Sequence, residues 1–368
     1  MSSFKLLQER RNSKLLICIA VFILILVFWL NFGSIAIIFC ALERAMEKNS
    51  LIFVAGHKGL VGSAIIRELQ SKGYNNLIFK NSAELDLRNQ AETERFFAEK
   101  RPEYVFLAAA RVGGIGANTV HRAEMIYNNL MIESNVIHNS YKFDVKKLLF
   151  LGSSCIYPKF APQPMNENVL LTSELEYTNE PYAIAKIAGL KMCESYNIQY
   201  GTDFISVMPT NLYGENDSFD LENGHVLPVM IRKFHEAKVQ GRDFVELWGS
   251  GRPKREFLYS ADLAEAAVML MEKVSFSDLT GGMKEIRNTH INIGTGEDIT
   301  IYELAYIIKD IVSYDGDIVW NTSKPDGTPR KLLDISKIKS FGWKPRTSLT
   351  DGIEKVYRWY VRNNSNQE

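Results

Sequence analysis

The sequence is poor in cysteine and histidine and has no excess of charge of either sign. Its 4 cysteines are Cys18 and Cys40, in an apolar N-terminal stretch, and Cys155 and Cys193, in the body. No Cys-x-x-Cys pair occurs, which excludes a disulfide scaffold at this size. The 6 histidines are scattered without His-Glu-x-x-His spacing, so no metal site is legible. Lys and Arg, 43 together, balance 43 Asp and Glu, which leaves no net charge to draw the chain onto nucleic acid. There is no internal repeat and no low-complexity tract. What remains, 46% hydrophobic and 23% charged over 368 residues, is globular and long enough for one large domain or two modest ones.

One long apolar run does occur. "LLICIAVFILILVFWL", Leu15 to Leu30, is 16 apolar residues, and the character resumes from Ile35 to Leu42 after Asn31, Gly33 and Ser34. A bilayer span needs about 20 such residues. Arg10, Arg11 and Lys14 precede the run, so as a single-pass anchor it would keep the N-terminus cytoplasmic and export the rest of the chain. A signal peptide lacks a small-residue cleavage site here. The remaining reading is a start taken too early, because Met46 directly precedes "EKNSLIFVAG", a natural beginning for a cytosolic domain. Residues 1–45 are therefore set apart. Membrane attachment is expected only through residues 15–42, and the catalytic body is expected in the cytoplasm.

From Ser50 on, short apolar runs alternate with helical stretches. "LIFVAG", "NLIFK", "YVFLAAA", "KKLLFLG" and "DFISVMP" read as strands. Helices are expected from Leu60 to Gln70, with Gly73 as cap, over "QAETERFFAEK", over "AEMIYNNLMIESNVIHNSYKF", and from Pro181 to a stop at Gly201. This rhythm predicts an α/β fold with a Rossmann-type doubly wound parallel sheet. After Tyr213 the rhythm changes. "VLPVMIRKFHEAKVQG", "SADLAEAAVMLMEK" (capped by Ser260 or Asp262) and "TIYELAYIIKDIV" (opened by Thr300) read as helices, while "VELWGSG" and "THINIGTG" read as extended. The expected division is a nucleotide-binding domain over 46–212 and a mainly substrate-binding lobe over 213–368.

Four stretches carry chemistry. Gly56-His57-Lys58-Gly59-Leu60-Val61-Gly62 lies between the first strand and first helix, where glycines let the backbone approach a pyrophosphate at a helix N-terminus. A plain strand-helix turn is the alternative. The second strand ends Lys80-Asn81-Ser82, with no carboxylate before Glu84. An acid there would bind the ribose of NAD, whereas a cation suits a 2′-phosphate, so NADP is favoured. A solvated strand-end lysine is the alternative. Tyr182 and Lys186, four apart, share a helix face, and the ammonium can stabilise tyrosinate and lower the Tyr182 pKa. A surface Tyr-Lys pair is the alternative. "GSSCIYP", Gly152 to Pro158, adds Ser153, Ser154, Cys155 and Tyr157 at a strand end.

These residues resemble the extended short-chain dehydrogenase/reductase family. Eight segments extend the likeness from Leu51 to the C-terminus: "VAGHKGLVGSAI", "LAAARVGGI", "FLGSSCIYPK", "NEPYAIAKIAG", "VMPTNLYG", "GHVLP", "WGSG" with "REFL", and "KPDGTPRKLLD". In this order they are similar to its NADPH-dependent sugar-nucleotide epimerase-reductases. The resemblance implies that GDP-4-dehydro-6-deoxy-D-mannose is epimerised at C3 and C5 and then reduced at C4. It implies that Ser153, Tyr182 and Lys186 polarise the C4 ketone, that Cys155 is the epimerisation base, and that His225 is the partner acid. Otherwise Cys155 reads as a buried small hydrophobe and His225 as a helix-start neighbour. Gly56, His57, Lys58, Gly59, Leu60, Val61, Gly62, Lys80, Leu151, Gly152, Ser153, Ser154, Lys186, Pro209, Thr210, Asn211, Leu212 and His225 would contact NADPH. Lys233, Trp248, Arg255, Asp326 and Lys331 would contact the GDP-sugar. Many relatives have arginine at the Lys233 position, and some a basic residue at Ser82. A homodimer is the expected assembly.

Rival readings are another sugar-nucleotide epimerase, reductase or dehydratase, a cofactor-sensing binding protein on this fold, and a membrane-attached assembly protein using the body as scaffold. Because the first strand begins only near Leu51, a chain shortened to start at Met46 is expected to stay in solution and keep full activity. Aggregation or inactivity of the shortened chain, with full-length protein active in detergent, would make residues 1–45 part of the folded unit.

Overall fold

A computed structural model describes residues 46–364, apart from 223 and 325; the apolar segment 15–42 lies outside them. Among the described residues no helix is long and apolar enough to cross a membrane. The first strands are β1 (Ile52–Ala55), β2 (Leu77–Ile78), β3 (Tyr104–Leu107), β4 (Lys147–Leu151) and β5 (Phe204–Pro209). β1, β3, β4 and β5 are buried at every position, as their unbroken apolar runs require when helices cover both faces. The short β2 sits at the sheet's end, and its chain turns away after Ile78 to wrap the Glu84 carboxylate, with Asn81 N–H and Nδ2 donating to it at 3.0 and 2.6 Å.

A strand from much later in the chain, β10 (Ile291–Ile293), completes this sheet. The order is β10-β5-β4-β3-β1-β2, all parallel. The chain leaves β1 towards β2 and then returns past it to β3, so a crevice opens beyond the carboxyl ends of β1 and β3. The longer helices are α1 (Leu60–Ser71), α2 (Gln90–Lys100), α3 (Arg122–Lys142), α4 (Glu180–Tyr200), α5 (Val226–Val239), α6 (Ser260–Lys273), α7 (Ile301–Val312) and α8 (Leu349–Asn364). α1 packs on α6, while α2 and α4 pack on α3. Right-handed crossovers put these two groups on opposite faces.

The other strands make small sheets: β6 (Asn211–Tyr213) beside β9 (Phe257–Tyr259), β7 (Phe244–Trp248) beside β12 (Asp317–Asn321), and β8 (Lys254–Arg255) between β11 (Ile299–Thr300) and β13 (Arg330–Lys331). A separate apolar cluster that includes Tyr213, Phe234, Leu247, Ile308 and Ile353 fills the space between α5, α7, α8 and β7.

Helix ends follow local chemistry. Gly73 and Gly201 stand at φ 84° and 70°, just past α1 and α4. Thr300 and Glu303 form a reciprocal capping box on α7, at 2.9 and 3.1 Å. The expected cap of α6 is corrected: Tyr259 occupies the N-cap, with no side-chain bond, and Ser260 is already helical and buried. Asp262 is turned to a distant loop, accepting the Arg346 and Thr347 N–H groups at 3.0 and 2.8 Å.

Glu256, between β8 and β9, is 0% exposed. Its carboxylate accepts N–H groups from Thr295 (2.6 Å), Gly296 (2.7 Å) and Leu333 (3.0 Å), and its carbonyl accepts Thr210 Oγ1 and Asn211 Nδ2. Burial pushes its carboxyl up and the three amides oppose this. Glu256→Gln puts an NH2 against backbone N–H groups. The expected loss is about 1.5–3 kcal/mol, because hydrogen bonds to a charged group are lost. Urea unfolding measures it, and an unchanged midpoint would show that the clamp is dispensable.

Candidate active site

The glycine turn after β1 is shaped by close approach. Gly56 has φ 88°, and a Cβ there would lie 2.8 Å from the Ala108 carbonyl carbon at the end of β3. A Cβ on Gly62 would lie 2.2 Å from the Gly56 oxygen. The first turn of α1 therefore rests directly on the turn. Gly59 is its N-cap and offers no side chain, and the first turn holds no acid. The Leu60, Val61 and Gly62 amides, without intrahelical acceptors, point their partial positive charge into the crevice. Lys58 is exposed beside them. This cradle fits a dinucleotide pyrophosphate.

At the end of β2, His57 stacks on Phe79 with centroids 5.0 Å apart. Lys80 does not stand free: its Nζ lies 3.0 Å from Glu84 Oε1. The Asn81 N–H and the Lys80 ammonium hold Glu84 below the usual carboxylate range. The carboxylate missing from the strand end thus arrives from four residues on and occupies the lysine.

"GSSCIYP" leaves β4 through Gly152, whose missing Cβ makes room for the Met208 side chain. Ser153 caps a 3₁₀ turn over Ser154–Ile156, its Oγ accepting the Cys155 N–H at 3.2 Å. Ser154 is buried. Tyr157 turns inward, with its Oη 2.5 Å from Asn292 Oδ1 and 3.0 Å from His290 Nε2. The phenol of this stretch thus anchors the loop to β10 and stays out of the crevice.

Cys155 keeps partial exposure. Its Sγ lies 3.3 Å from Asn179 Nδ2 and 3.7 Å from Lys331 Nζ. Asn179 is the N-cap of α4, and Lys331 pairs in register with Arg255 across β13 and β8. Burial pushes the Arg255 guanidinium down, opposed by the Cys155 thiol and Asp326.

Tyr182 and Lys186 share the first turns of α4 as expected, but their electrostatics differ from the expectation. Lys186 Nζ is 5.8 Å from the Tyr182 ring centroid, donates to the Leu151 carbonyl at 3.0 Å, and lies 2.9 Å from Glu133 Oε1 on α3. Burial, then the Cys155 thiol and the Glu133 carboxylate, push the Tyr182 phenol up; the Ser153 hydroxyl opposes them. The expected lowering is therefore corrected, because burial dominates and Glu133 answers the lysine's charge.

His225 is the N-cap of α5 and makes no cap bond. The residue is exposed, yet surrounding protein removes enough hydration to push the imidazole below its usual range. The contacts join Ser153, Cys155, Tyr182, Lys186 and Lys331 into one site; no hydrogen bond among the described residues joins His225 to Cys155. The outer residues are engaged elsewhere. Lys233 Nζ donates to the Glu246 carbonyl (2.9 Å), and Asp326 accepts Ser250 N–H and Oγ (2.6 and 2.8 Å). Trp248 lies exposed beneath the Lys324 ammonium. Pro209 ends β5, Thr210 and Asn211 turn to Glu256, and Leu212 pairs with Leu258.

Two residues at this site escape sequence reasoning. Asn179 stands beside Pro181 and looks like a helix cap alone. Glu133 carries a signal: Met125, Asn129, Glu133 and Ile137 fall every four residues on one buried stripe, where an unpaired carboxylate is costly.

Comparisons with known proteins agree with this geometry. Residues 52–294 match the model of the NAD dependent epimerase/dehydratase family. The chain is 56% identical to GDP-L-fucose synthase 1 of Arabidopsis thaliana, over 87% of this chain and 96% of that protein. It is 52% identical to GDP-L-fucose synthase of Escherichia coli (strain K12), over 85% and 97%. Among solved structures, a GDP-6-OMe-4-keto-L-xylo-heptose reductase from C. jejuni matches with TM-score 0.84 and 46% identity, over 87% and 100%. A GDP-L-fucose synthetase from Naegleria fowleri bound to NADP matches with TM-score 0.77 and 27% identity, over 87% and 97%.

Proposed function

From the premise that the chain belongs to the NAD dependent epimerase/dehydratase family, and within it to the GDP-L-fucose synthases, we propose how its residues divide the work. The substrate is GDP-4-dehydro-6-deoxy-D-mannose and the product GDP-L-fucose, formed by epimerisation at C3 and C5 and reduction at C4. The observation that carries the reading is the convergence of a thiol and a Ser-Tyr-Lys set on the loop after β4.

Bound NADPH supplies the hydride for C4. The Gly56–Gly62 turn would hold its pyrophosphate, with Lys58 beside it, and Lys80 would reach the 2′-phosphate by exchanging Glu84 for it. Epimerisation needs a proton removed next to a ketone and another returned on the opposite side of the ring. Cys155 takes the first task, its sulfur held by Asn179 and Lys331. His225, at the start of α5, is the candidate partner that returns the proton. Reduction leaves charge on the C4 oxygen. Ser153 and Tyr182 hydrogen-bond that oxygen, and Tyr182, whose raised pKa keeps it protonated, gives it a proton. Lys233, Trp248, Arg255, Asp326 and Lys331 are the candidates for the GDP-sugar, with the Arg255 fork suited to a diphosphate. A reductase without epimerase activity is the second reading, favoured by the likeness to the C. jejuni reductase.

Lys80→Ala is expected to lower kcat/KM for NADPH relative to NADH by about tenfold or more, the equivalent of one charge-assisted contact. An unchanged ratio would remove Lys80 from the 2′-phosphate site. The two steps separate in deuterated water with the keto-sugar nucleotide. Cys155→Ser should lose deuterium entry at C3 and C5 by about 10²–10⁴-fold, while Tyr182→Phe should keep it and consume NADPH more slowly by a similar factor. Mass spectrometry and nicotinamide absorbance read the two. Normal exchange in Cys155→Ser would leave the reductase alone standing.

A further inference from the structure

We propose that Glu133 is a positioning residue for the C4 reduction: its carboxylate holds Lys186 as an ammonium beside Tyr182, where water does not reach. The proposal rests on the reading of Tyr182 as proton donor. Glu133 and Lys186 have side-chain exposures of 1% and 2%, and the pair spans α3 and α4 at 2.9 Å. Lys186 otherwise meets the Leu151 carbonyl and the ring faces of Phe150 and Tyr182, at 4.9 and 5.8 Å from their centroids. None of these carries a full negative charge. A lysine so buried sheds its proton readily unless a counter-charge holds it.

Glu133 is not occupied by structural work. Glu256, equally buried, uses both oxygens to collect three backbone amides. Glu133 collects no such amides, and its Oε2 has no hydrogen-bond partner among the described residues. Space for that bare oxygen is built in. Gly189, one turn on from Lys186, lies beneath it, and a Cβ there would stand 2.7 Å from Oε2 and 2.5 Å from Phe150 Cζ. A side chain kept only for packing would be served better by leucine or methionine. Burial pushes the Glu133 carboxyl up, and the Lys186 ammonium is the charge that opposes it. The other titratable groups nearby are Cys155 on the loop after β4, Lys331 on β13, Arg255 on β8, and Cys193 on α4, whose thiol burial pushes up to about 12. None of them contacts Lys186.

With Glu133 present, the Lys186 ammonium has a full counter-charge 2.9 Å away. Without it that counter-charge is gone, and the reduction is expected to fail at lower pH. The test compares wild type with Glu133→Gln, nearly isosteric but uncharged, in deuterated buffer with the keto-sugar nucleotide and NADPH. The alkaline limb of NADPH oxidation is expected to move to lower pH by about one unit or more, a tenfold loss on that limb. Deuterium entry at C3 and C5, the task of Cys155, should keep its wild-type rate. The ¹⁵N ammonium signal of Lys186, assigned by its loss in Lys186→Met, should vanish at correspondingly lower pH. A limb coincident with the wild type's overturns the proposal, as do equal losses of exchange and oxidation at every pH. If Glu133→Gln does not fold, Glu133→Asp carries the test. It sets the charge a methylene farther away and should shift the limb the same way by less, and no shift overturns the proposal. If the wild type itself neither exchanges nor oxidises NADPH, the reading of the reaction fails and this proposal with it.

Discussion

A single buried carboxylate, that of Glu256, ties the segments that follow β10 and β13 to the exit of the six-stranded sheet at β5. It draws in the turn after β10 through Thr295 and Gly296 and the chain after β13 through Leu333, while its own carbonyl holds Thr210 and Asn211 at the exit of β5. Gly294 leaves room for it, because a Cβ there would stand 2.2 Å from the carboxylate. The consequence reaches the site directly. β8 and β13 flank this residue, and they carry Arg255 and Lys331 side by side towards Cys155. A charge shielded from water is acceptable here because three amides satisfy it, and those amides come from segments far apart in the chain.

Two buried carboxylates therefore serve opposite ends. Glu256 is saturated by backbone and fixes geometry. Glu133 meets one lysine and leaves one oxygen bare, so its influence falls on a charge. The contrast matters because the site must run two chemistries on one sugar ring. A thiol set between an amide and an ammonium and a phenol pushed up by burial occupy adjacent ground. Their environments differ, the thiol keeping partial exposure beside an ammonium and the phenol enclosed on α4.

Much of this could be read from the chain. The alternation of apolar runs and helices implied the parallel sheet, and the glycines at 56 and 62 could be placed because their turn lies between a strand and a helix. Capping at Thr300 and the stops at Gly73 and Gly201 are local effects, visible in a few residues. What escaped was tertiary. Glu84 reaching back to Lys80 depends on how the chain bends after a two-residue strand. Asp262 looked like a cap because its partners are 84 and 85 residues away. The direction of the Tyr182 shift could not be read from Tyr182 and Lys186 alone, because burial, which decides it, is set by the tertiary packing around the phenol.

The seven residues of "GSSCIYP" show how local geometry distributes roles that composition only suggests. A 3₁₀ turn has three residues per turn, so successive side chains leave it in three directions. Ser154 and Ile156 go into the core, at 6% and 0% exposure, and Cys155 between them is left facing the crevice. Ser153, the cap, stands just before the turn with extended backbone and so lies towards Tyr182. Tyr157 comes after the turn and locks it to β10 through Asn292 and His290. A hydroxyl and a thiol two residues apart are thereby presented to different partners, the phenol of α4 for one and the ammonium of β13 for the other.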